Sequence, residues 1–282
     1  MKTESMQNSI IETKHLEMLL SKNQRIDGRE LTAIREVHLE TGFLKKAEGS
    51  CRVRLGKSMV YAGVKAEVGT PFPDTPEEGV LIVNIELSPI ASPFFESGPP
   101  TKESIELARV VDRTIRESGV LEVKKLVVTP GLKVWIVFVD LYVMADDGNL
   151  IDASTIAAMA ALATTKIPEM IPDPKNAEKL IKSDKTYPIP IKTWATSITF
   201  SKIGSKTLID PVLDEERIEE ARFTVGVTEG KLVCALQKGL AGTFQAEEIV
   251  QMVGTALDLG HKQISALKKL VKNGGNWKSD EF

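Results

Sequence analysis

The chain has 282 residues, 42% of them hydrophobic and 27% charged, with 36 Lys and Arg set against 39 Asp and Glu. That length suits one large domain or two fused halves around a sizeable core. The net charge of −3 excludes whole-surface attraction to nucleic acid or anionic lipid, so a polyanionic partner would need a local basic patch.

Ile10, Ile11, Leu16, Leu19 and Leu20 recur at near-helical spacing and predict an amphipathic helix within residues 1–22. NQRIDGRE is polar loop chemistry. Strands follow in IREVHLETG and SCRVRLGKSMVYAGVKAEVG, where Gly56 and Lys57 between alternating runs predict a hairpin turn. TPFPDTPEEG and SPIASPFFESGPP are loops by their proline and glycine, and VLIVNIELS between them is a strand. From Thr101 the period turns helical in TKESIELARVVDRTIRES, opening after a Pro-Pro pair and ending near Gly119. The strand KVWIVFVDLYVM, the turn ADDGNLIDAS and the alanine-rich helix DASTIAAMAALATT form the middle of the chain. MIPDPKNAEKLIKSDKTYPIPIK reads as a proline-rich, charged linker. WATSITFSKIGSKTLIDPVL and ARFTVGVTEGKLVCALQKG are strand pairs, and QAEEIVQMVGTALDLGHKQISALKKLVK is a long closing helix. Strands precede a helix in both halves, and VRLGKSMVYAGV is echoed by FSKIGSKTLIDPV. The expectation is an α+β chain of two βα repeats: an N-terminal helix over 1–22, a first half over 23–186 and a second over 187–282.

The turn ADDGNLIDAS raises a chemical question. A strand, a glycine turn and a helix start offer free N–H groups and a partial positive charge to an anion. Yet the turn carries Asp146, Asp147 and Asp152 and no Lys or Arg. Basic side chains stand elsewhere. Arg109, Arg113 and Arg116 fall at i, i+4 and i+7 on one helix face. They are either a solvated face balanced by Asp112 and Glu117, or a guanidinium ladder whose forks suit successive phosphates. Lys45, Lys46, Arg52 and Arg54 could extend a basic surface or line the outside of a strand. Phe94 and Phe95 could stack on bases or pack beneath their own loop. The acids of IDPVLDEE (Asp210, Asp214, Glu215 and Glu216) are either acid–base or metal-binding groups or solvated side chains after a proline turn. No G-x-S-x-G, P-loop or G-x-G-x-x-G pattern occurs. Cys51 and Cys234, in separate strand-like runs, read as buried thiols. His15, His38 and His261 form no metal-spaced group. No apolar run approaches the roughly 20 residues that span a bilayer, and the charged N-terminus lacks a signal core. The expected location is cytoplasmic, with no membrane partner.

RIDGRE, GSCRVRLGKSMVYAGVKAEV, VLIVNIELSP, GPPTKESIELARVVDR and ADDGNLIDAS together resemble the ribonuclease PH family over nearly the whole chain. Within it the chain is most similar to the non-catalytic subunit type of the archaeal exosome, which IDPVLDEE and VCALQKG also fit. The resemblance implies a ribonuclease PH-like α+β fold of two βα repeats, with mixed sheets and flanking helices. It implies an alternating hexamer, a trimer of heterodimers with a catalytic ribonuclease PH-like subunit, capped by RNA-binding proteins. There a single-stranded RNA 3′ end would be shortened as inorganic phosphate attacks the terminal linkage, with 3′ processing or tailing at the same partner site.

Residue by residue the match is uneven. Gly148 fits the family's phosphate turn, but Asn149, Leu150, Ile151 and Asp152 stand where catalytic members carry Thr, Arg or Ser. Catalytic members also have two aspartates six residues apart; Asp210 matches the first, and Glu216 stands at the second. The loop over 89–100 lacks the arginines of catalytic members. A carboxylate about 4 Å from a phosphate costs about 4 kcal/mol at an effective dielectric near 20, as much as the whole of a millimolar affinity. Asp152 therefore either blocks the pocket, or points away or caps the helix. Gly148, Asp152, Asp210 and Glu216 then form a degenerate site with no catalytic residue. The resemblance gives Arg109, Arg113 and Arg116 to RNA phosphates. It implies no cofactor or metal for this chain, leaving phosphate and any Mg2+ to the catalytic partner. Two alternatives stand beside this: an active exoribonuclease with an altered site, and a ring scaffold without RNA contact.

Overall fold

Most of the period-2 and period-3.6 runs become the elements they suggest in the computed structural model, which describes residues 10–173, 176–273 and 275–277. In chain order they are α1 (Ile10–Ser21), β1 (Val37–Thr41), β2 (Gly49–Leu55), β3 (Ser58–Gly69), β4 (Val80–Leu87) and α2 (Lys102–Glu117). A short 3-10 turn (Val123–Leu126) leads to β5 (Val127–Thr129), β6 (Lys133–Ala145), α3 (Leu150–Thr164), β7 (Lys166–Asp173) and β8 (Asn176–Pro188). The second half holds β9 (Ala195–Ile203), β10 (Lys206–Ile209), α4 (Leu213–Glu216), β11 (Ala221–Thr228), β12 (Val233–Gly239), α5 (Ala246–Asn273) and β13 (Gly275–Trp277).

The larger sheet runs β13-β1-β2-β3-β6-β4, with β5 pairing the start of β6. β4 and β6 are parallel, so the chain must cross over between them, and α2 makes that crossover. Alternation in β6 turns Trp135, Val137, Val139, Leu141 and Val143 into the core at 1% exposure or less. The smaller sheet, β10-β9-β11-β12, is antiparallel throughout. Between the sheets lies α3, which packs on β2, β3 and β6 on one side and on β9 on the other. A helix enclosed on all sides has no polar face, and Ile151 to Leu162 are all buried. Its alanines let both sheets come close. Where β2 passes the end of α3, a Cβ on Gly49 would lie 2.2 Å from Thr165 Oγ1 and 2.5 Å from the Ala161 carbonyl oxygen, so only glycine fits.

Thr101 caps α2 by accepting the Ser104 N–H at 3.3 Å. Leu107, Val110, Val111 and Ile115 then face inward. α5 packs on β9 and β11, and Leu20 of α1 packs with Ile203 and Leu208 of the smaller sheet. The first nine residues of the expected N-terminal helix lie outside the described residues. At the other end of the chain, β13 pairs with β1 along the edge of the larger sheet.

The stretch expected to be a linker is instead the hairpin β7–β8. Its prolines hid it. Pro168 and Pro172 interrupt the β7 pattern, and the pairing register shifts beside each of them. A two-stranded ribbon tolerates proline where a central strand does not. α4 is a single turn, too short for periodicity to register.

Candidate functional site

After β6 the chain turns through Asp146, Asp147, Gly148 and Asn149 into α3. Gly148 and Asn149 take left-handed φ values of 81° and 52°. A Cβ on Gly148 would lie 2.6 Å from Leu213 N, so no other residue lets the turn meet the segment before α4. Three of the N–H donors that such a turn could offer an anion are already taken. Asp147 N–H donates to Ser58 Oγ at 2.9 Å, Gly148 N–H to Asp146 Oδ1 at 3.1 Å, and Asn149 N–H to Glu216 Oε1 at 2.7 Å. Two of the three acceptors are carboxylates, so the protein's own side chains sit where a bound anion would.

Asp210 is buried in the left-handed region, with φ 53°. Its Oδ1 accepts from Arg35 Nη2 and Asn149 Nδ2, both at 2.7 Å. Its Oδ2 accepts from Arg35 N–H at 2.8 Å, and from Arg35 Nε and Arg29 Nη1 at 2.9 Å. A carboxylate has about four lone-pair sites, and these donors fill them. Burial pushes the Asp210 carboxyl up, but the Arg35 and Arg29 guanidinium groups outweigh it and hold the acid below its usual range. Arg35 also donates to the carbonyl oxygens of Asp147, Gly148 and Pro211. Arg25 completes the latch with a bidentate bond to Glu215, at 2.9 Å and 2.6 Å.

Of the positions expected for Asp152, the one observed is turned away into β9, not the helix cap. The cap of α3 is Asn149, whose Oδ1 accepts the Asp152 N–H at 3.4 Å. The Asp152 carboxylate is 4% exposed and ties the helix to β9. It accepts from Ser197 Oγ at 2.7 Å, and from Thr199 N–H, Thr199 Oγ1 and Asn149 Nδ2 at 2.9 Å each. Burial pushes Asp152 up to about 6, against those hydrogen bonds. Gly148, Asp152, Asp210 and Glu216 are thus brought together, with Asn149 bonded to all three acids. Burial and the neighbouring Glu219 push Glu216 up to about 8. Among the described residues no group of three or more His, Cys, Asp or Glu is arranged to hold a metal ion.

The arginine face of α2 is of another kind. Arg116 turns back on its own helix, 2.8 Å from Asp112 and 3.5 Å from Glu117. Arg109 is exposed and Arg113 half-buried, and among the described residues neither has an ion-pair partner within 4.0 Å. Elsewhere, Arg52 pairs with Glu40. Arg217 lies over the Phe94 ring, 5.3 Å from its centroid, and Phe95 packs against the core. Cys51 and Cys234 are free thiols; Cys51 is buried and Cys234 half-buried.

Sequence reasoning missed Arg25, Arg29, Arg35 and Ser58, and the Ser197 and Thr199 donors. One signal was present: RIDGRE and IREV supply cations, and IDPVLDEE supplies acids in similar number. Pairing them across some 175 residues needs the fold.

Residues 33–168 match the model for the 3′ exoribonuclease family, domain 1, and residues 195–258 match its domain 2. The chain is 47% identical to the exosome complex component Rrp42 of Thermococcus gammatolerans, over 90% of this chain and 91% of that one. It is 44% identical to Rrp42 of Methanothermobacter thermautotrophicus, over 92% and 95%. Among solved structures, a chain of the Archaeoglobus fulgidus exosome with RNA bound to the active site superposes with a TM-score of 0.82 at 41% identity, covering 90% of this chain and 96% of that one. The ribonuclease PH-like α+β fold expected from the sequence is the fold observed, and the chain belongs to the 3′ exoribonuclease family, among relatives that are archaeal exosome components.

Proposed function

We propose that this chain is a non-catalytic subunit of an exosome ring that holds RNA for a neighbouring catalytic ribonuclease PH-like subunit. The observation that carries the reading is the division of charge. At the turn, Ser58, Asp146 and Glu216 take the N–H groups, and Arg29, Arg35 and Asn149 fill the oxygens of Asp210. An attacking phosphate would find those three N–H groups occupied, and Asp210 has no open oxygen to take a proton. On α2, Arg109 and Arg113 stand one helical turn apart on one face, where their forks can hold adjacent RNA phosphates bidentately.

In this reading the ring is an alternating hexamer, a trimer of heterodimers, with RNA-binding cap proteins, working in the cytoplasm. Arg109 and Arg113 bind the backbone without reading sequence, and the RNA 3′ end passes to the partner. There an oxygen of inorganic phosphate attacks the terminal phosphorus and the 3′ oxygen of the shortened RNA leaves, releasing a nucleoside diphosphate; the reverse step tails the RNA. Arg116, spent on Asp112 and Glu117, drops out of the RNA-binding set. The competing altered-site enzyme needs Asp210 as a base or metal ligand, which five donors oppose. The purified chain should show no phosphate-dependent shortening of RNA, and mixing with its catalytic partner should produce it. Shortening by the chain alone, abolished by Asp210→Asn in protein that still folds and assembles, would establish the altered-site enzyme instead.

A further inference from the structure

On the α4 side of the turn, several carboxylates share few cations. Glu216 uses Oε1 to accept the Asn149 N–H at 2.7 Å. The Glu219 side chain is 3% exposed, and its Oε2 is buried with no hydrogen-bond partner. Ser201 of β9 approaches Glu219 and favours its charged form, yet the Ser201 hydroxyl is also buried without completing a hydrogen bond. The cation facing both acids is Arg222 of β11, and the charge of Arg35, already bonded to Asp210, reaches Glu216 and Asp146. Its Nη1 is 3.7 Å from Glu219 Oε1, while its Nη2 is 3.2 Å from Glu106 Oε1 of α2. Asp146 faces Glu216 from the turn. Arg217, after α4, pairs with Asp214 at 3.2 Å, and its charge reaches Asp146. Glu106, Asp146, Glu216 and Glu219 thus outnumber the cations that face them.

We propose that Glu216 and Glu219 carry a proton at neutral pH as an acid pair, and that this proton keeps the α4 turn seated on the start of α3. An ionised Glu219 leaves a buried carboxylate oxygen with nothing donating to it, a state proteins avoid by taking up a proton. With Glu216 ionised as well, two like charges repel in a desolvated place, and the pair titrates as a unit. The segment that yields is the single turn of α4, fixed to α3 through Asn149 and Glu216. Burial, followed by the Glu219 charge, pushes Glu216 up to about 8; burial likewise pushes Glu219 up to about 7. Both folded values lie above the ordinary glutamate value. The stability the pair contributes is therefore fully present below that value and is lost as pH rises through about 7 and 8. This inference is independent of RNA binding, so its failure leaves the proposed function standing, and the converse holds.

The test is a carboxyl 13C NMR titration of the full chain with labelled glutamate, alongside Glu219→Gln. Wild type should show both carboxyls titrating near neutral pH. In Glu219→Gln the Glu216 midpoint should fall by about one unit or more, since its like-charged neighbour is gone. Ordinary midpoints near about 4.3 for both acids in the folded wild type, or an unmoved Glu216 midpoint in folded Glu219→Gln, would overturn the proposal. Should Glu219→Gln fail to fold, the wild-type titration decides alone.

Discussion

Arg35 and Arg109 carry the same guanidinium and use it in opposite ways. The Arg35 side chain is 6% exposed and spends its donors on Asp210, Asp147, Gly148 and Pro211, holding together the turn, the segment before β1 and the segment before α4. Arg109 stands exposed on α2, with no ion-pair partner among the described residues. The difference teaches that a cation near an anion-shaped turn is no sign of an anion site. What matters is whether its donors are already used. A fully satisfied polar network fixes one arrangement of the chain, whereas an open guanidinium on a helix remains free for a ligand.

The comparison breaks most visibly if the turn is not closed. Removing one partner of a buried ion pair leaves an uncompensated charge, so Arg35→Ala should cost about 3–5 kcal/mol in urea unfolding. Asp210→Asn should be destabilising in the same way at neutral pH, because it strips the buried Arg35 of its closest carboxylate and leaves Arg29 with Asp27 alone. Asp210 is held below its usual range in the folded state, so its contribution is present above the ordinary aspartate value and lost as pH falls through the lower folded one. The urea midpoints of Asp210→Asn and wild type should therefore converge in acid. A constant gap from pH 7 to pH 3 would contradict the ion-pair account.

A smaller effect sharpens the position of Asp152. Ser197→Ala removes one of its donors and should cost about 1.5–3 kcal/mol, as expected for a hydrogen bond to a charged group. It should also move the Asp152 carboxyl further up from about 6, since the Ser197 bond favours the charged form. An Asp152 that capped its own helix, or faced an open pocket, would respond to neither change. The smallest effect separates Arg116 from its neighbours. Its pair with Asp112 is an exposed i,i+4 bridge, worth about 0.3–0.5 kcal/mol. Arg116→Ala should shift the unfolding midpoint by that little and leave RNA affinity in the assembled complex unchanged.

Much of this was legible in the sequence wherever one segment carried its own signal. The β6 alternation, the two helical periods of α2 and α5, and the Gly56–Lys57 turn needed no partner to be seen. The β7–β8 hairpin was not legible, because proline erased its alternation, and neither was α4, because one turn has no period. Asp152 showed the limit at the site. Its place in the first turn of α3 allowed a cap, a blocked pocket or a side chain turned away, but the donors that hold it, Ser197 and Thr199, lie on β9 and reach it only after folding. The arginine face was readable as a face. That Arg116 alone is paired follows from which rotamer meets Asp112, which spacing does not determine.

The measurement that bears most directly on the central claim is the salt dependence of RNA binding by the assembled complex carrying Arg109→Glu with Arg113→Glu. The account predicts an assembly of unchanged mass and weakened RNA binding. The log–log salt slope should be shallower by about 1.4, at roughly 0.7 for each lost single-strand phosphate contact. An assembly of normal mass with unchanged RNA affinity and slope would contradict it.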